Sequence, residues 1–236
     1  MFNRANRIVF LTGAGVSTAS GIPDYRSQNG LYHGSKKQKR YAKRLLSHDG
    51  LINQPRTFYR FVKRELYHPH AEPNVIHRVQ AKLTQMNKAS IITQNIDNLY
   101  EQAGANLQRL IHFHGDLYHC HCMKCGHSIG WQQYLKRPIH QRDNGLIRPD
   151  VVLYGESLNR ESFSRSLHIM LNADLIVIVG TTMKVEPFAD LIKYHQPHVP
   201  IVAINQQPLH FSYNLNYIML KMNAVDFFKK MVIKRW

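Results

Sequence analysis

The chain has 236 residues, of which 44% are hydrophobic and 10% aromatic, as in globular proteins and unlike disordered ones. This length is enough for one large domain with a small insertion. The longest apolar run, Leu175 to Gly180, is too short to span a bilayer, and the N-terminal residues lead directly into a strand-like segment without a signal peptide. We therefore expect a soluble cytoplasmic protein with no membrane partner.

The chain is strongly basic, with 31 Lys and Arg against 15 Asp and Glu and a net charge of +16. Such an excess is compatible with nucleic-acid binding, an acidic partner or a solvated surface. The densest basic run covers 36–44. It contains no recognition-helix or base-stacking motif, which favours a solvated loop and helix start, so nucleic acid is not indicated beyond a basic surface. All three cysteines lie between 120 and 125, which argues against a disulfide framework and for reducing surroundings.

Short apolar runs mark the expected strands, which cover 7–12, 89–93, 174–179, 200–204 and, more weakly, 217–220. Helical patterns lie between them, one beginning at Pro55 and another after Pro73 and Asn74. Buried strands that alternate with helices predict an α/β fold, with a Rossmann-like parallel sheet covered by helices on both faces.

Two stretches interrupt this alternation. The segment 119–148 is rich in His, Cys, Arg and Gly and predicts a small inserted module, whereas 28–50 is polar and basic and predicts a mobile loop with short helices. We therefore assign 1–27, 51–118 and 149–236 to one large Rossmann-like domain, and 28–50 with 119–148 to a small module.

A glycine-rich loop, Gly13-Ala14-Gly15-Val16-Ser17-Thr18, follows the first strand. Glycines at this place allow the backbone to approach a pyrophosphate. Thr18 stands where a third glycine is expected and no acidic residue closes a second strand, so a tight structural turn explains the loop about as well. The extension 20–27 adds an aromatic residue and a cation, Tyr25 and Arg26, which favours a lid over a cofactor.

Further blocks follow in the chain. They are Gly21 to Ser27, Thr93 to Leu99, His114-Gly115, Arg148 to Val152, Gly155-Glu156, Gly180 to Thr182 and Ile204-Asn205. With the glycine loop, these blocks resemble the sirtuins, a family of NAD-dependent protein deacylases, in order and spacing over nearly the whole chain. The resemblance implies a Rossmann-like NAD-binding domain and a small zinc-ribbon-like or helical module, with NAD and an acyl-lysine peptide or protein meeting between them.

The resemblance also implies the roles of individual residues. The NAD-binding residues are Gly13, Ala14, Gly15, Thr18, Tyr25, Arg26, Gln94, Asn95, Ile96, Asp97, Gly180, Thr181, Thr182, Asn205, Gln206, Asn223 and Ala224. Among them, Asp97 accepts a hydrogen bond from the nicotinamide carboxamide. The acyl-lysine substrate is held by Val152, Leu153, Tyr154, Gly155, Glu156 and Val185, with its backbone added as a strand.

The implied catalytic residues are His114 and Asn95. The amide oxygen of the acyl-lysine attacks the nicotinamide ribose, and a ribose hydroxyl must then lose its proton to attack the resulting imidate. A histidine suits this step because its ordinary pKa of about 6.5 lies near working pH. Only the family register distinguishes His114 from His112, for which we expect a structural role. The implied products are free lysine, nicotinamide and O-acyl-ADP-ribose.

Sirtuins usually hold a structural zinc ion with two Cys-x-x-Cys pairs, of which only Cys122 and Cys125 are present here. His140 and Asp143 stand at the second pair, so a Cys₂-His-Asp tetrahedron is chemically allowed; His119, His121 or His127 could substitute. The alternative is that zinc is lost or weakly held and packing supports the module.

The acyl group and two rival functions complete the expectations. Sirtuins that prefer acidic acyl chains resemble one another in a Tyr-x-x-Arg pair, and Val62 stands at the arginine position, so we expect acetyl or longer neutral acyl groups rather than succinyl. An NAD-consuming ADP-ribosyltransferase or NAD hydrolase would share the pocket without requiring His114. A non-catalytic, basic NAD-sensing or nucleic-acid-associated protein would require no catalytic base.

Overall fold

The central sheet has six parallel strands. A computed structural model describes residues 1–2, 4–24, 35–211 and 213–233 of the chain. The strands are β1 (Ile8–Thr12), β2 (Ala89–Thr93), β3 (Leu110–His112), β7 (Leu175–Val179), β8 (Ile201–Asn205) and β9 (Ile218–Lys221), in the spatial order β3-β2-β1-β7-β8-β9. Every strand pairs in parallel with its neighbours. The predicted α/β, Rossmann-like fold class is confirmed.

The inner strands are buried on both faces, which explains their continuous apolar runs. Along β1, Ile8 and Phe10 belong to one apolar cluster, while Val9 and Leu11 belong to another on the opposite face. This alternation follows from the two-residue period of a strand. The two clusters are the two layers of the core.

Helices cover both of these faces, as expected. The helices are α1 (Lys36–Leu45), α2 (His48–Asn53), α3 (Pro55–Glu65), α4 (Val75–Gln85), α5 (Leu99–Gln102), α6 (Trp131–Lys136), α7 (Arg160–Leu171) and α8 (Ala224–Ile233), with short 3₁₀ helices at Ala14–Val16, Thr18–Ser20, Leu107–Arg109 and Ala189–Tyr194. Buried residues of α4 and α8 join the cluster of Ile8 and Phe10. Those of α7 and the last 3₁₀ helix join the cluster of Val9 and Leu11.

A second, antiparallel sheet forms the small module. Its strands are β4 (Gly115–Cys122), β5 (Ser128–Gly130) and β6 (Ile147–Val151), in the order β5-β4-β6. A third apolar cluster joins this sheet to α1, α2 and α3, with Phe58 and Val62 of α3 in its core. The predicted domain division stays a prediction, and these contacts favour counting α3 with the module. Among the described residues, no helix combines the length and the apolarity needed to cross a bilayer.

The strand order places a crevice at the carboxyl ends of β1 and β7. The chain passes from β1 through β2 to β3 on one side, and through β7, β8 and β9 on the other. In open parallel sheets, ligands bind at the point where the strand order reverses in this way. The glycine loop follows β1 and Gly180 follows β7, so both lie at this point.

Candidate functional site

A cleft of about 1060 Å³ opens at this crevice between the parallel sheet and the module. The predicted site residues that line it are Ala14, Gly15, Thr18, Gln94, Asn95, Ile96, His114, Val152, Leu153, Tyr154, Gly155, Glu156, Gly180, Thr181, Thr182, Val185, Asn205, Gln206, Asn223 and Ala224. Gly13 and Asp97 do not line this cleft. Tyr25 and Arg26 lie outside the described residues.

The glycine loop packs backbone against backbone. Gly15 N donates to Gly180 O over 2.8 Å, and a Cβ added at Gly15 would lie 2.8 Å from Gly180 Cα. A Cβ at Gly13 would lie 2.7 Å from Thr181 Cβ. The two glycines therefore allow the loop after β1 to contact the loop after β7, which forms the floor of the cleft at this point.

A buried polar network lies below Asn95. Ser17 Oγ donates to Asp97 Oδ2 (2.8 Å) and accepts from Asn95 Nδ2 (3.0 Å). His77 Nδ1 accepts from Asn74 N at 3.3 Å, so the neutral ring carries its proton on Nε2, 3.5 Å from Ser17 Oγ. Burial lowers the pKa of His77 to about 3 and raises the pKa of Asp97. The network fixes the Asn95 amide in one orientation.

Asp97 borders a second, smaller cavity of about 30 Å³. Ala14, Asn95 and Ile96 line both this cavity and the large cleft. The two spaces are therefore adjacent, and Asp97 lines the smaller one. Its Oδ1 also accepts from Leu99 N (3.1 Å), which ties the carboxylate to the start of α5.

His114 lies at the turn between β3 and β4 and lines the cleft. Its Nδ1 lies 3.4 Å from Gln94 O. A carbonyl oxygen only accepts, so Nδ1 carries the proton and Nε2 keeps its lone pair. Burial lowers the pKa of His114 below its ordinary 6.5, which keeps the ring neutral at physiological pH. The chemical result is a neutral imidazole base at the cleft.

His112 has the opposite electrostatic environment. Its Nε2 lies 2.6 Å from Glu101 Oε1 and its Nδ1 lies 3.2 Å from Asn95 O. Burial alone would lower the pKa of His112, but the hydrogen bond and charge of Glu101 outweigh it and raise the pKa to about 9. His112 does not line the cleft, and the structural role that we expected for it stays a prediction.

The segment 152–156, which we call the substrate segment, forms the module side of the cleft. Val152 N donates to His114 O over 2.8 Å. Tyr154 forms a parallel bridge with Ser47, and Glu156 Oε2 accepts from Arg148 Nη2 (2.9 Å) and Leu153 N (3.0 Å). Burial alone would raise the pKa of Glu156, but the hydrogen bonds from Arg148 and His48 lower it to about 2. The substrate segment is therefore held by Arg148 and the His114 backbone on one side and by the chain around Ser47 on the other.

On the side of the cleft opposite the substrate segment, Thr181 contacts the polar side chains of Gln94 and Asn205. Its Oγ1 lies 3.2 Å from Gln94 Nε2, and its carbonyl oxygen accepts from Asn205 Nδ2 over 3.1 Å. Asn223 Oδ1 accepts from Val225 N (2.8 Å) at the start of α8. These contacts join the ends of β2, β7 and β8 around one space.

Four possible metal ligands meet at the edge of the module. Their ligand atoms, from Cys122, Cys125, His140 and Asp143, all lie within 4.8 Å of one another. Cys122 Sγ lies 3.5 Å from the Asp143 carboxylate, and His140 Nδ1 lies 3.5 Å from Cys125 Sγ. Tetrahedral zinc places its ligand atoms about 3.3 to 3.8 Å apart, so these two pairs already have the required spacing, and the wider pairs, at up to 4.8 Å, would close slightly around a zinc ion.

The backbone around this cluster also leaves the space that the ligands need. A Cβ at Gly145 would lie 2.4 Å from Cys122 Sγ, so only glycine fits there. The Gly145 amide donates to Asp143 Oδ1 over 2.8 Å, which orients the carboxylate. The His127 ring stacks on His140 at a centroid distance of 5.6 Å. Cys120, two residues before the pair, is buried beside Tyr67 instead.

Some residues of the site were not predicted from the sequence. His77 and Glu101 belong to the polar contacts described above, His77 at 60 residues from Ser17 and Glu101 at 11 residues from His112 along the chain. The unpredicted apolar residues of the cleft are Ala19, Leu46, Leu66, Val151, Leu158, Pro187, Ile204, Met222 and Val225. Apolar residues of this kind carry no distinguishing sequence signal, whereas a polar residue on the buried face of α4, such as His77, does.

The family assignment rests on this arrangement and on sequence similarity. The sequence profile of the Sir2 family matches residues 13–187. The chain belongs to this family. The Sir2-family match ends shortly after Val185 and includes the glycine loop, His114 and the substrate segment.

Known Sir2-family proteins resemble the chain over almost its whole length. The NAD-dependent protein deacetylase of Lactiplantibacillus plantarum is 48% identical, over 96% of this chain and 93% of the relative. A sirtuin structure concerned with substrate affinity has a TM-score of 0.87 at 30% identity, covering 100% of this chain and 96% of that one. A Sir2 structure with a p53 peptide and NAD⁺ has a TM-score of 0.84 at 28% identity, covering 99% and 95%.

Proposed function

We propose that this Sir2-family protein is an NAD-dependent protein-lysine deacetylase that releases nicotinamide and free lysine and transfers the acyl group to ADP-ribose. The observation that carries the proposal is that a single cleft brings the glycine loop, His114 and the substrate segment together. The deacetylase name of the Lactiplantibacillus plantarum relative supports the same activity.

In this proposal NAD⁺ is a substrate that binds between the sheet and the module. Ala14, Gly15 and Thr18 would contact its phosphates, because backbone amides after a glycine turn suit an anion. The side chains around Thr181 and Asn205 would hold the adenosine half, together with Thr182, Gln206, Asn223 and Ala224. Gln94, Asn95, Ile96 and Asp97 would surround the nicotinamide, whose carboxamide can donate to the buried carboxylate.

His114 would be the general base. Its Nδ1 proton is directed at Gln94 O, so Nε2 is the atom that can accept a proton from a ribose hydroxyl. The lowered pKa keeps Nε2 unprotonated at neutral pH. Val152 N donates to the His114 carbonyl oxygen, which keeps the base beside the segment that would bind the acyl-lysine.

The acyl group would be neutral. Val62 is fully buried in the module core and does not line the cleft, and none of the described lining residues is Lys or Arg. Leu46, Leu66 and Leu158 are among the lining residues instead. A carboxylate that enters such a space loses hydration and gains no cation.

We also propose that Cys122, Cys125, His140 and Asp143 hold a structural zinc ion. When bound, zinc would crosslink the loop after β4 to the loop before β6 and would take no part in proton transfer. The distances among the four ligands favour this alternative over loss of the metal. The mixed donor set favours weaker binding than four thiolates would give. The three free cysteines are in keeping with a reducing compartment such as the cytoplasm.

Mass spectrometry of an acetyl-lysine peptide incubated with and without NAD⁺ tests the function. We expect deacetylated peptide, nicotinamide and O-acetyl-ADP-ribose in equal amounts. His114→Ala should lower turnover by about 10²- to 10⁴-fold, while His168→Ala, at an exposed position on α7, should not. Labelled ADP-ribose on protein without deacetylation would favour the transferase, and an active His114→Ala variant would exclude the assigned base.

A further inference from the structure

Helix α1 presents a row of cations beside the substrate segment. Lys36, Lys39, Arg40 and Lys43, which we call the basic stripe, are all exposed and follow the i, i+3, i+4, i+7 spacing of one helix face. The opposite positions, Ala42 and Leu45, are buried. The helix is therefore amphipathic, with its charged face directed at solvent.

The Lys43 end of the basic stripe lies beside the substrate segment of the cleft. Lys43 Nζ lies 5.7 Å from the centre of the Tyr154 ring, and Tyr154 is 45% exposed. The chain after α1 bonds to the substrate segment, because Tyr154 N donates to Leu46 O and His48 N donates to Tyr154 O, each over 3.0 Å. These hydrogen bonds hold the stripe at a fixed position relative to the cleft.

Neither ion pairing nor helix stability accounts for Lys36, Lys39 and Arg40, whereas Lys43 lies in the last turn, where the helix macrodipole favours a cation. Helix α1 has no acidic residue in its first turn, and no ion pair among residues 35–211 involves the basic stripe. Lys36 lies in the first turn, where the helix macrodipole disfavours a cation. The capping box of Ser35 and Gln38 is uncharged, so a positive potential remains at this surface.

The one acidic side chain of the substrate segment does not cancel this potential. The carboxylate of Glu156 is held by Arg148 and His48, and the Arg148 guanidinium neutralises it locally. An anionic group that approaches Tyr154 therefore meets the Lys43 ammonium and beyond it the other cations of α1, with Asp49 in the first turn of α2 as an opposing acidic residue.

We propose that the basic stripe selects acetyl-lysine substrates that carry Asp or Glu close to the acetylated lysine. This inference rests on the proposed deacetylase function. The stripe is about 10 Å long, at 1.5 Å per residue of helix, and an extended peptide rises about 3.3 Å per residue. It therefore spans about three residues of a bound peptide. Its contact with the substrate segment favours a peptide over a nucleic acid.

Three acetyl-lysine peptides test the proposal: one with two acidic residues within three positions of the lysine, one with two Ser there, and one with two Lys. We expect kcat/KM at low salt to be about three- to tenfold higher for the acidic than for the Ser peptide, mainly through KM, and lowest for the Lys peptide. The preference should shrink in 0.5 M salt because screening weakens exposed charge pairs.

A charge-reversed variant and a matched control assign the effect to the stripe. Lys36→Glu, Lys39→Glu and Arg40→Glu together should abolish the preference and leave the Ser peptide unchanged within about twofold. Lys82→Glu, Lys229→Glu and Lys230→Glu change the net charge equally at exposed positions of α4 and α8, and should keep the preference. Equal behaviour of the two variants would overturn the proposal.

Two further outcomes are distinguishable. If no acetyl peptide is deacetylated, the proposed function fails, and fluorescence anisotropy of the labelled peptides still tests the stripe through binding. If the wild-type protein shows no peptide preference but binds a labelled DNA duplex that the stripe variant no longer binds, the surface serves nucleic acid and the proposal is wrong.

Discussion

His112 and Glu101 form a partly buried ion pair directly behind the loop that carries Asn95. Both ring nitrogens of His112 face acceptors, Glu101 Oε1 at 2.6 Å and Asn95 O at 3.2 Å, so the ring donates twice and is cationic. His114, two residues later, is neutral. Two nearby histidines thus have pKa values displaced in opposite directions, and only the neutral one lines the cleft.

Glu101→Gln should therefore change how stability depends on pH. The pKa of His112 is about 9 in the folded protein and about 6.5 when unfolded. The ion pair thus stabilises the protein fully below pH 6.5, and this contribution is lost as the pH rises through 9. We expect the variant to be about 2 kcal/mol less stable than the wild type at pH 6 and nearly equal at pH 10.

Urea denaturation at several pH values measures this difference. Glu72→Gln, at an exposed loop position, is the control and should give a small difference at every pH. A Glu101→Gln difference that grows with pH would contradict a cationic His112.

Gly15→Ala should destabilise the protein and weaken NAD⁺ binding. The added Cβ would lie 2.8 Å from both Gly180 Cα and Gly180 O, and backbone atoms cannot move aside as a side chain can. We expect a loss of about 2 kcal/mol or more in the free energy of unfolding. Gly130→Ala, whose Cβ would find its nearest neighbour at 3.5 Å, should cost less than about 1 kcal/mol. Equal losses would argue against the close backbone contact.

The zinc content of the purified protein tests whether the small module holds a metal ion. Protein purified without chelators should contain one zinc ion per chain. Asp143→Ala removes one ligand, so its zinc affinity should fall by at least the roughly 10- to 100-fold that is typical when a residue supporting a metal ligand is lost. His140→Cys with Asp143→Cys should bind zinc more tightly, since thiolates are softer ligands. Competition with a chromogenic chelator measures each affinity. Wild-type protein without zinc would show that packing alone supports the module.

An acetyl-lysine peptide should be turned over faster than a succinyl-lysine peptide of the same sequence. The described lining residues offer no Lys or Arg to a terminal carboxylate, and burial of an unpaired charge is costly. We expect kcat/KM to differ by at least about tenfold. A butyryl-lysine peptide, similar in length but neutral, separates charge from size. Faster turnover of the succinyl peptide would contradict the neutral-acyl assignment.

The parallel sheet was largely predictable because its strands are short and continuously apolar. The run at 89–93 coincides with β2, the runs at 7–12 and 174–179 begin one residue before β1 and β7, and the runs at 200–204 and 217–220 are shifted by one residue from β8 and β9. Pro55 begins α3 as expected, and Asn74 caps α4. Strands β3 and β5 were missed because each has only three residues, and β4 and β6 were missed because their residues lie between an apolar core and a polar surface and include Gly115 and Pro149, which weaken the strand pattern.

The candidate site was predictable in its position and less so in its supporting contacts. The glycine loop and His114 stand in motifs whose order is specific to the family. Ser17, by contrast, meets His77 and Asp97 across 60 and 80 residues of sequence, and no local pattern reports such a meeting. The pair of Glu101 and His112 is likewise visible only once α5 packs against β3.

The bridge between Ser47 and Tyr154 has a consequence for how the protein can change. Its backbone hydrogen bonds connect the chain after α1 to the substrate segment. The exposed side chains of α1 can therefore be substituted without altering the hydrogen bonds that hold the helix in place. Substitutions in the basic stripe would then change which proteins are recognised under the proposal above, while the residues proposed as the base and the nicotinamide pocket keep their geometry. In the proposed function, substrate choice would therefore be adjustable separately from the bond-breaking chemistry of the same cleft.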